Sequence, residues 1–333
     1  MIKKILLSPW TALLTLFIVA MLRISDPSFI ESIRLRYFDT LITAKPITEN
    51  NIYTVNIDEP TLEKYGQWPF KRDIYVNIIQ NMYEHNAGLV IFNVLMPEKD
   101  SKGGDDDFSK FLSTTPVILP NIPSDISKNT PKVPGSAVLG PEFLDKIIQY
   151  PGMIANIPEL ENNAAGVGIV NTIPELDGVN RRIPLIVNVN GKLFPSLSME
   201  TLRVASGDTT FQVKLNEFGV EKMRIPAFGP ITTDNLGRIW IDWSQTSKSV
   251  SLMNLPDDLE GAIVIIGPTA AGIGNPVPTA KGAVFPHELQ GTVIGTMFNK
   301  VVIQRPDYAD GAEILTLAFL GLLVVFFGVW KRK

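Results

Sequence analysis

The chain has 333 residues, a formal net charge of −4 and no cysteine. This length allows one large domain or two small domains with ample core. The absence of cysteine excludes disulfide bonds, thiolate zinc sites and thiol nucleophiles. The mildly acidic charge offers no basic surface for nucleic acid, so we expect no nucleic-acid partner.

Two apolar segments stand at the ends of the chain, at residues 5–22 and 314–330. Each is close to the length at which a helix crosses the hydrocarbon core of a membrane. Basic residues flank both segments on their outer sides, so the positive-inside tendency places both termini in the cytoplasm. A cleavable signal peptide is the alternative for the first segment, but no small-residue cleavage pair follows its apolar core. A further alternative makes both segments buried helices of a soluble protein.

These segments predict a division of the chain into three parts. Residues 1–24 hold a cytoplasmic tip and the first transmembrane helix, residues 25–310 form one domain, and residues 311–333 hold the second transmembrane helix and a basic tip. We expect the protein in the cell (inner) membrane, with the main domain periplasmic or extracellular. The lipid bilayer is therefore its first predicted partner.

The first half of the domain has the pattern of a βαβ unit. Residues 52–57 are rich in β-branched and aromatic side chains, residues 73–82 carry apolar positions at helical spacing, and residues 89–95 form a second apolar run. Such units are normally parallel with a right-handed crossover. Gly88 suits the left-handed position that ends the helix. Before the unit, an apolar stripe over residues 29–42 predicts a helix that continues from the membrane into the domain.

The rest of the domain mixes two kinds of structure. The further predicted elements are a short helix at 108–112, a strand at 116–120, a surface loop at 121–141, helical turns at 142–149, strands at 166–170 and 182–189, a helix at 196–205, strands at 211–215, 222–225, 238–243 and 262–267, a helix at 287–298 and a last strand at 301–303. Asn190-Gly191 is a strong hairpin signal, and Ser196 can cap the helix that follows it. The predicted fold class is α/β: a mixed, largely parallel sheet with flanking helices, an antiparallel β-hairpin-rich insertion that starts near residue 166, and one transmembrane helix at each end.

Three residues near the first strand are candidate ligand contacts. Asp58 stands at the carboxyl end of a parallel strand, where open α/β sheets place ligand crevices. Alternatively, its carboxylate accepts a hydrogen bond from the Thr61 backbone and fixes the turn. Trp68 offers an aromatic platform. Arg72 can clamp a carboxylate or phosphate, or it can pair with Asp58 and lock the loop.

Arg181, Arg182 and His287 are the other candidate ligand contacts. The two arginines follow an Asp-Gly turn and can form an anion site, although neighbouring residues on a strand point to opposite faces. The alternative places one arginine in a salt bridge and leaves the other solvated. His287 can act as a metal ligand or a proton sensor. Alternatively it only lies at the start of a helix, where the negative charge of Glu288 interacts favourably with the helix dipole.

The remaining polar clusters give no catalytic or metal-binding set. The aspartates at 105–107 lack the alternation of a calcium loop, so a solvated loop is expected there. The glycines within 166–168 lack the third glycine of a dinucleotide fingerprint. The sequence contains no nucleophile elbow, phosphate loop or zinc-protease helix motif. We therefore predict that the protein is not an enzyme and holds no cofactor and no metal.

Four short motifs occur in the order typical of one known family. They are Arg34-Leu35-Arg36-Tyr37-Phe38-Asp39, Ile57-Asp58 with Gly66-Gln67-Trp68-Pro69-Phe70-Lys71-Arg72, Asp177-Gly178-Val179-Asn180-Arg181-Arg182-Ile183-Pro184-Leu185, and Ile263-Val264-Ile265-Ile266-Gly267 with Phe285-Pro286-His287-Glu288. On these residues the chain resembles the second type of CHASE domain over roughly residues 25–310. This family supplies the extracytoplasmic sensors of bacterial cyclases, kinases and related transducers. Asn93 stands where members commonly carry an aspartate.

The resemblance implies a sensor that binds a signal and passes a conformational change through its transmembrane helices. Members usually continue into a cytoplasmic catalytic domain, whereas this chain stops after one more helix, as a standalone sensor or a truncated receptor. We expect a homo-oligomer, or partner membrane signalling or assembly proteins. The alternative function is a structural or assembly subunit without a small-molecule ligand. A polar-lined pocket favours the sensor, and a large apolar patch or an open strand edge favours the assembly subunit.

Overall fold

The computed structural model describes residues 9–304 and 308–330 of the chain. Three features predicted from the sequence fall outside these ranges. They are the basic flanks at residues 3–4 and 331–333, and residues 5–8 of the first apolar segment.

Two compact units make up the chain: residues 1–39 together with 304–333, and residues 40–303. The helices are α1 (Pro9–Ser25), α2 (Ser28–Thr43), α3 (Glu59–Tyr65), α4 (Arg72–Glu84), α5 (Asp105–Thr114), α6 (Pro158–Asn163), α7 (Leu197–Ala205), α8 (Pro286–Phe298) and α9 (Ala309–Trp330). The strands are β1 (Thr48–Ile57), β2 (Leu89–Phe92), β3 (Val117–Ser124), β4 (Gly135–Leu139), β5 (Gln149–Tyr150), β6 (Gly152–Ile154), β7 (Gly166–Ile169), β8 (Arg182–Pro184), β9 (Ile186–Val189), β10 (Lys192–Pro195), β11 (Thr210–Asn216), β12 (Gly219–Ile225), β13 (Gly229–Ile231), β14 (Arg238–Trp240), β15 (Gln245–Ser251), β16 (Ile263–Pro268), β17 (Val277–Thr279) and β18 (Gly282–Val284). A 3-10 turn lies at Leu144–Lys146.

The first unit contains the two apolar end segments. In α9, the stretch Ala309–Phe327 is long and apolar enough to cross a membrane. The described part of the N-terminal segment meets the same test only when α1 is joined to α2, from which it is bent by 78°. This bend replaces the continuous helix that the sequence predicts. Asp26 takes a left-handed φ of +38°, and Pro27 follows it.

Side chains of α1 and α9 hold these two helices together within the first unit. Leu16 fills the notch at Gly321, where an added Cβ atom would lie 2.3 Å from the leucine Cδ1. Arg23, near the end of α1, forms ion pairs with Asp310 and Glu313 in the first turns of α9. Exposed ion pairs are weak one by one. Here, however, they fix the register of two helices that also interlock at Gly321.

The second unit is organised around a seven-stranded sheet. Its strand order is β15-β1-β16-β2-β3, and both β7 and β6 attach to β3. All neighbours are parallel except β6, which is antiparallel to the last residues of β3. β16 lies in the middle of the sheet, which confirms the prediction from its apolar sequence. β7 extends the parallel sheet, so its predicted place in the antiparallel insertion is wrong.

Helices cover both faces of this sheet. Val55 and Ile57 of β1 belong to one core with buried residues of α4, α5 and α6, among them Tyr75 and Phe108. Successive side chains of a strand point to opposite faces, and Thr54 accordingly lies against α8 on the other face. A fully buried apolar side chain of this size stabilises a fold by about 1.5–3 kcal/mol. The buried side chains on the α4 face of the sheet therefore contribute strongly to stability.

Smaller sheets make up the rest of the second unit, with strand orders β10-β9-β5, β13-β12-β11-β4, β14-β8 and β17-β18. Asn190 and Gly191 form the predicted hairpin turn between β9 and β10, with φ of +51° and +78°. Most of these pairs are antiparallel as predicted, but β4 joins β11 and β5 joins β9 in parallel. The surface loop predicted over 121–141 is wrong where it contains the end of β3 and all of β4.

Three further predictions differ from the structure. Residues 182–189 form two strands instead of one, because β8 pairs with β14 whereas β9 pairs with β10 and β5. Residues 301–303 form no strand, and the Val301 backbone N–H instead bonds to Thr296 at the end of α8. Asn86, not Gly88, takes the left-handed conformation after α4, with φ of +63°. Gly88 is required for another reason: an added Cβ would lie 2.3 Å from the carbonyl oxygen of Gly261.

Candidate functional site

Asp58 is the N-cap of α3. Its Oδ1 accepts hydrogen bonds from the Thr61 backbone N–H at 3.3 Å and from the Thr61 hydroxyl at 2.7 Å. The Asp58 backbone N–H donates back to the Thr61 hydroxyl, which completes a capping box. This confirms the bond predicted between Asp58 and Thr61. The next residue, Glu59, accepts a bond from the Ala271 backbone N–H at 2.8 Å, so α3 is also tied to the loop after β16.

Trp68 is part of an aromatic cluster that caps the α4 face of the sheet. Its ring meets Phe70 edge-on at 5.1 Å between centroids, and it lies 5.9 Å from Tyr75. Tyr75 in turn contacts Phe92 at 4.9 Å. Burial raises the pKa of Tyr75 to about 12, so this hydroxyl stays protonated. The ring of Trp68 is half-buried and already packs against the neighbouring aromatic rings.

Arg72 holds a loop closed, but its partner is not the predicted one. Its Nε donates to Asp105 Oδ1 at 2.9 Å, and its Nη2 donates to the Glu98 carbonyl at 3.0 Å. The Arg72 backbone N–H bonds to Asp100, whose own N–H bonds to Asp105 at 2.9 Å. The predicted pairing of Arg72 with Asp58 is wrong, because residues 97–105 fold back over the start of α4. The solvated loop predicted at 105–107 is wrong as a loop, because these residues begin α5 and Asp105 is mostly buried, but Asp106 and Asp107 are solvated as predicted.

Arg181 and Arg182 both lie in ion pairs. Arg181 is 2% exposed and makes a two-bond fork to Asp177, with both distances at 2.8 Å. These hydrogen bonds hold the pKa of Asp177 below its ordinary value. Arg182 bonds to Glu175 at 2.7 and 2.9 Å and to Asp234 at 3.2 Å, and it lies over the ring of Trp240. The expectation that one arginine is solvated is therefore wrong.

His287 is fully buried at the first turn of α8. Its Nε2 lies 2.8 Å from Asn56 Oδ1, while Asn56 Nδ2 donates to Ser249 Oγ at 2.9 Å. Ser249 in turn donates to Glu288 at 3.0 Å. Because the Asn56 oxygen can only accept, His287 carries its proton on Nε2. Burial lowers the pKa of His287 to about 3, so the ring is neutral near neutral pH and is not poised there to sense protons.

Gly267 and His287, from the two halves of the fourth motif, meet in space. An added Cβ on Gly267 would lie 2.5 Å from both Cγ and Nδ1 of the imidazole. The glycine therefore makes room for the ring, and the ring reaches Asn56 on the neighbouring strand. The motif joins β16, β1 and α8 at one point.

Four residues of α8 and its end form a seam over β1 and β15, at a spacing of four. They are His287, Gly291, Gly295 and Asn299. An added Cβ on Gly291 would lie 3.1 Å from Ser247 Oγ, and one on Gly295 would lie 2.8 Å from Asn50 Nδ2. Asn299 Nδ2 donates to Gln245 at 2.7 Å and to Asn50 at 2.6 Å. The seam was missed from the sequence; its signal is this spacing of histidine, glycine, glycine and asparagine.

The six candidate ligand residues are not brought together by the structure. No hydrogen bond, ion pair or ring contact within residues 9–304 and 308–330 joins any two of them. Each has partners elsewhere in the fold, and ligand binding by these residues stays a prediction. In the same described part of the chain, no three histidine, aspartate or glutamate residues are grouped so that they could hold a metal ion.

A family model described as the CHASE2 domain matches residues 12–326. The chain belongs to the CHASE2 family. Comparison with curated proteins finds no match, and comparison with solved structures finds none either. A CHASE2 domain is an extracytoplasmic sensor domain and is typically non-catalytic, which implies an extracellular sensing role for this chain. In this CHASE2 domain, the motif residues are also structural: Asp58 caps a helix, Arg72 and Arg181 are buried in ion pairs, and His287 fixes α8 to the sheet.

Proposed function

We propose that this CHASE2 chain is a membrane-anchored sensor that binds a chemical signal outside the cytoplasm. The domain at residues 25–310 receives the signal, and helices at both of its ends pass a conformational change through the membrane. Both termini lie in the cytoplasm, and the protein lies in the cell (inner) membrane. The observation that carries this proposal is the family match, taken together with a folded domain that stands in the sequence between two apolar helices.

Transmission needs membrane helices that respond together. A ligand that binds one geometry of the domain better than another shifts the population toward that geometry. β1 follows α1 and α2 in sequence, and α8 directly precedes α9, so the neighbouring elements β1 and α8 each lead to one apolar helix. The ion pairs of Arg23 with Asp310 and Glu313 support joint movement of α1 and α9.

We further propose that the protein works as a homo-oligomer, with α2 as one contact. Phe29, Ile33 and Leu41 recur on one line of this helix, and they are 62%, 64% and 54% exposed. An apolar row on a helix is stabilised when a second copy covers it. The native mass of Ile33→Glu in detergent, compared with that of the unchanged chain, tests this contact: the charge should shift the mass toward the monomer.

A ligand screen by thermal unfolding tests the sensor function. The full chain in detergent micelles is heated with a library of small metabolites and ions. A specific ligand at 100 times its Kd adds about 2.7 kcal/mol to the free energy of unfolding, which raises Tm by several degrees. If no small molecule or ion stabilises the chain, the sensor proposal fails.

The second candidate function is an assembly subunit, and one observation favours it. Within the described residues, β15 pairs with β1 alone, so its outer edge is open at one end of the main sheet. Open edges invite strand addition, although the exposed Lys248 in the middle of β15 discourages it. Native mass spectrometry separates the two candidates. An assembly subunit should be extracted from membranes in a complex with other proteins, whether or not any ligand stabilises it.

A further inference from the structure

A cleft lies beyond the carboxyl ends of β15, the edge strand, and β1, its neighbour in the main sheet. It is bounded by the last turn of α3, which follows β1, by residues 78–85 in and just after α4, and by residues 252–255, which follow β15. Its volume is about 240 Å³. The carboxyl ends of parallel strands are where open α/β sheets commonly bind ligands. None of the six candidate residues predicted from the sequence lines this cleft.

Three polar side chains on the cleft have unused hydrogen-bonding capacity. Within residues 9–304 and 308–330, Lys64 Nζ makes no ion pair and no hydrogen bond, and its ammonium lies 5.1 Å from the centre of the Tyr65 ring. The side-chain amide of Asn81 likewise makes no hydrogen bond to the described residues. His85 Nδ1 lies 2.8 Å from the Pro256 carbonyl oxygen, so Nδ1 must carry the proton. In the neutral ring, Nε2 then remains as a hydrogen-bond acceptor without a partner among the described residues. In contrast, Arg72, Arg181 and Arg182 are fully engaged in ion pairs.

Apolar side chains also line the cleft, although most of the surface that it exposes is polar. Ile78, Leu252, Met253 and Leu255 line it beside the ring of Tyr65. Ligand sites are typically apolar with a few convergent polar groups, which fix the orientation of the ligand. One unpaired ammonium and one free amide, with the partly exposed side chains of Met253 and Leu255 beside them, suit a compact molecule with an anionic group at one end and a small apolar body.

We propose that this cleft binds a small organic acid, whose carboxylate or phosphate group is held by Lys64 and Asn81 and whose apolar body packs on Met253 and Leu255. This inference rests on the proposed sensor function and names the class of signal. Occupancy would join α3, α4 and the segment after β15. Because α8 lies on β1 and β15 through its seam, a shift of these strands reaches the helix that precedes α9.

The test uses the full chain in detergent micelles, with ¹³C in the methyl groups of methionine. The Met253 signal is assigned with Met253→Leu. Benzoate is the probe, benzyl alcohol is its uncharged counterpart, and inorganic phosphate is an anion without an apolar body. We expect benzoate to shift the Met253 signal saturably and more strongly than the other two. Lys64→Gln should weaken benzoate binding about tenfold or more through loss of a charge-assisted hydrogen bond, while Lys281→Gln, a lysine on the β17–β18 turn, should not.

Three results would overturn the proposal. They are a folded chain whose Met253 signal does not respond to benzoate, a response to benzyl alcohol or phosphate at least as strong as that to benzoate, and equal benzoate affinity in Lys64→Gln and the unchanged chain. The sensor function is tested separately, by the thermal screen. A ligand that raises Tm in the thermal screen but leaves Met253 unshifted refutes the cleft and supports sensing.

Discussion

Gly267 is the position where one added methyl group tests how the family motif packs. The Cβ of Gly267→Ala would lie 2.5 Å from two atoms of the His287 ring, far inside the 3.4 Å at which ordinary contact begins. The ring is fully buried and is bonded to Asn56, so it cannot turn out into solvent. The substitution must therefore displace the ring or push β16 away from α8.

The expected cost follows from these two contacts. Overpacking a buried position costs about 1–3 kcal/mol, and a displaced ring leaves the Asn56 oxygen without its donor, at about 1–3 kcal/mol. We expect Gly267→Ala to lower the free energy of unfolding by about 2–6 kcal/mol. Gly311 is the matched control, because an added Cβ there meets no atom within 4 Å. Gly311→Ala in a helix should be neutral or stabilising by about 0.5–1 kcal/mol.

Urea unfolding of the full chain in detergent micelles, followed by tryptophan fluorescence, measures both free energies. His287→Ala removes the ring that the new methyl group strikes. The double variant should therefore be more stable, by about 1–3 kcal/mol, than the sum of the two single effects predicts. Additive effects, or a Gly267→Ala variant as stable as Gly311→Ala, would refute the packing of this motif.

Two further predictions concern buried charge. Arg72→Ala should lower the free energy of unfolding by about 3 kcal/mol, because it leaves the mostly buried Asp105 carboxylate without its cation. Lys71→Ala, at an exposed ion pair, should leave the free energy of unfolding nearly unchanged, and equal values for the two variants would contradict this. The pKa of His287 is about 3 in the folded chain and 6.5 in the unfolded chain, so the unfolded chain takes up this proton first as the pH falls. The free energy of unfolding therefore decreases as pH drops from 6.5 toward 3, by up to about 1.4 kcal/mol per pH unit. In unfolding measured at pH 6 and pH 4, His287→Gln should lose this slope and His85→Gln should keep it; a slope that survives in His287→Gln would count against the assignment.

Local sequence patterns predict several elements of the main sheet and its helices. The apolar spacing of residues 73–82 predicts α4, and the buried runs that became β1, β2 and β16 are recognisable without any partner. Asn190-Gly191 predicts its hairpin because the turn needs two left-handed residues and the sequence supplies them. The capping bond of Asp58 to Thr61 is likewise a local event between residues three apart.

Contacts between distant segments could not be read in this way. The partner of Arg72 lies 33 residues away, and nothing near Arg72 distinguishes Asp105 from Asp58 as its acceptor. His287 meets Asn56 across 231 residues, so its burial and its neutral ring follow only from the assembled sheet. β4 is a short strand with no fully buried residue, and it forms because β11 pairs with it in parallel. The cleft beside Lys64 is equally a product of tertiary structure, since its walls come from three separate segments.

In the proposed topology, this CHASE2 domain stands outside the cytoplasm, held by helices at both ends. The chain has no cysteine, so single cysteines report their own location without background. Ser101→Cys lies on the exposed loop before α5, and Lys333→Cys marks the C-terminus. With a membrane-impermeant maleimide on intact spheroplasts, Ser101→Cys should label at once and Lys333→Cys only after permeabilisation. Protection of Ser101→Cys, or labelling of Lys333→Cys in intact spheroplasts, would contradict this membrane topology.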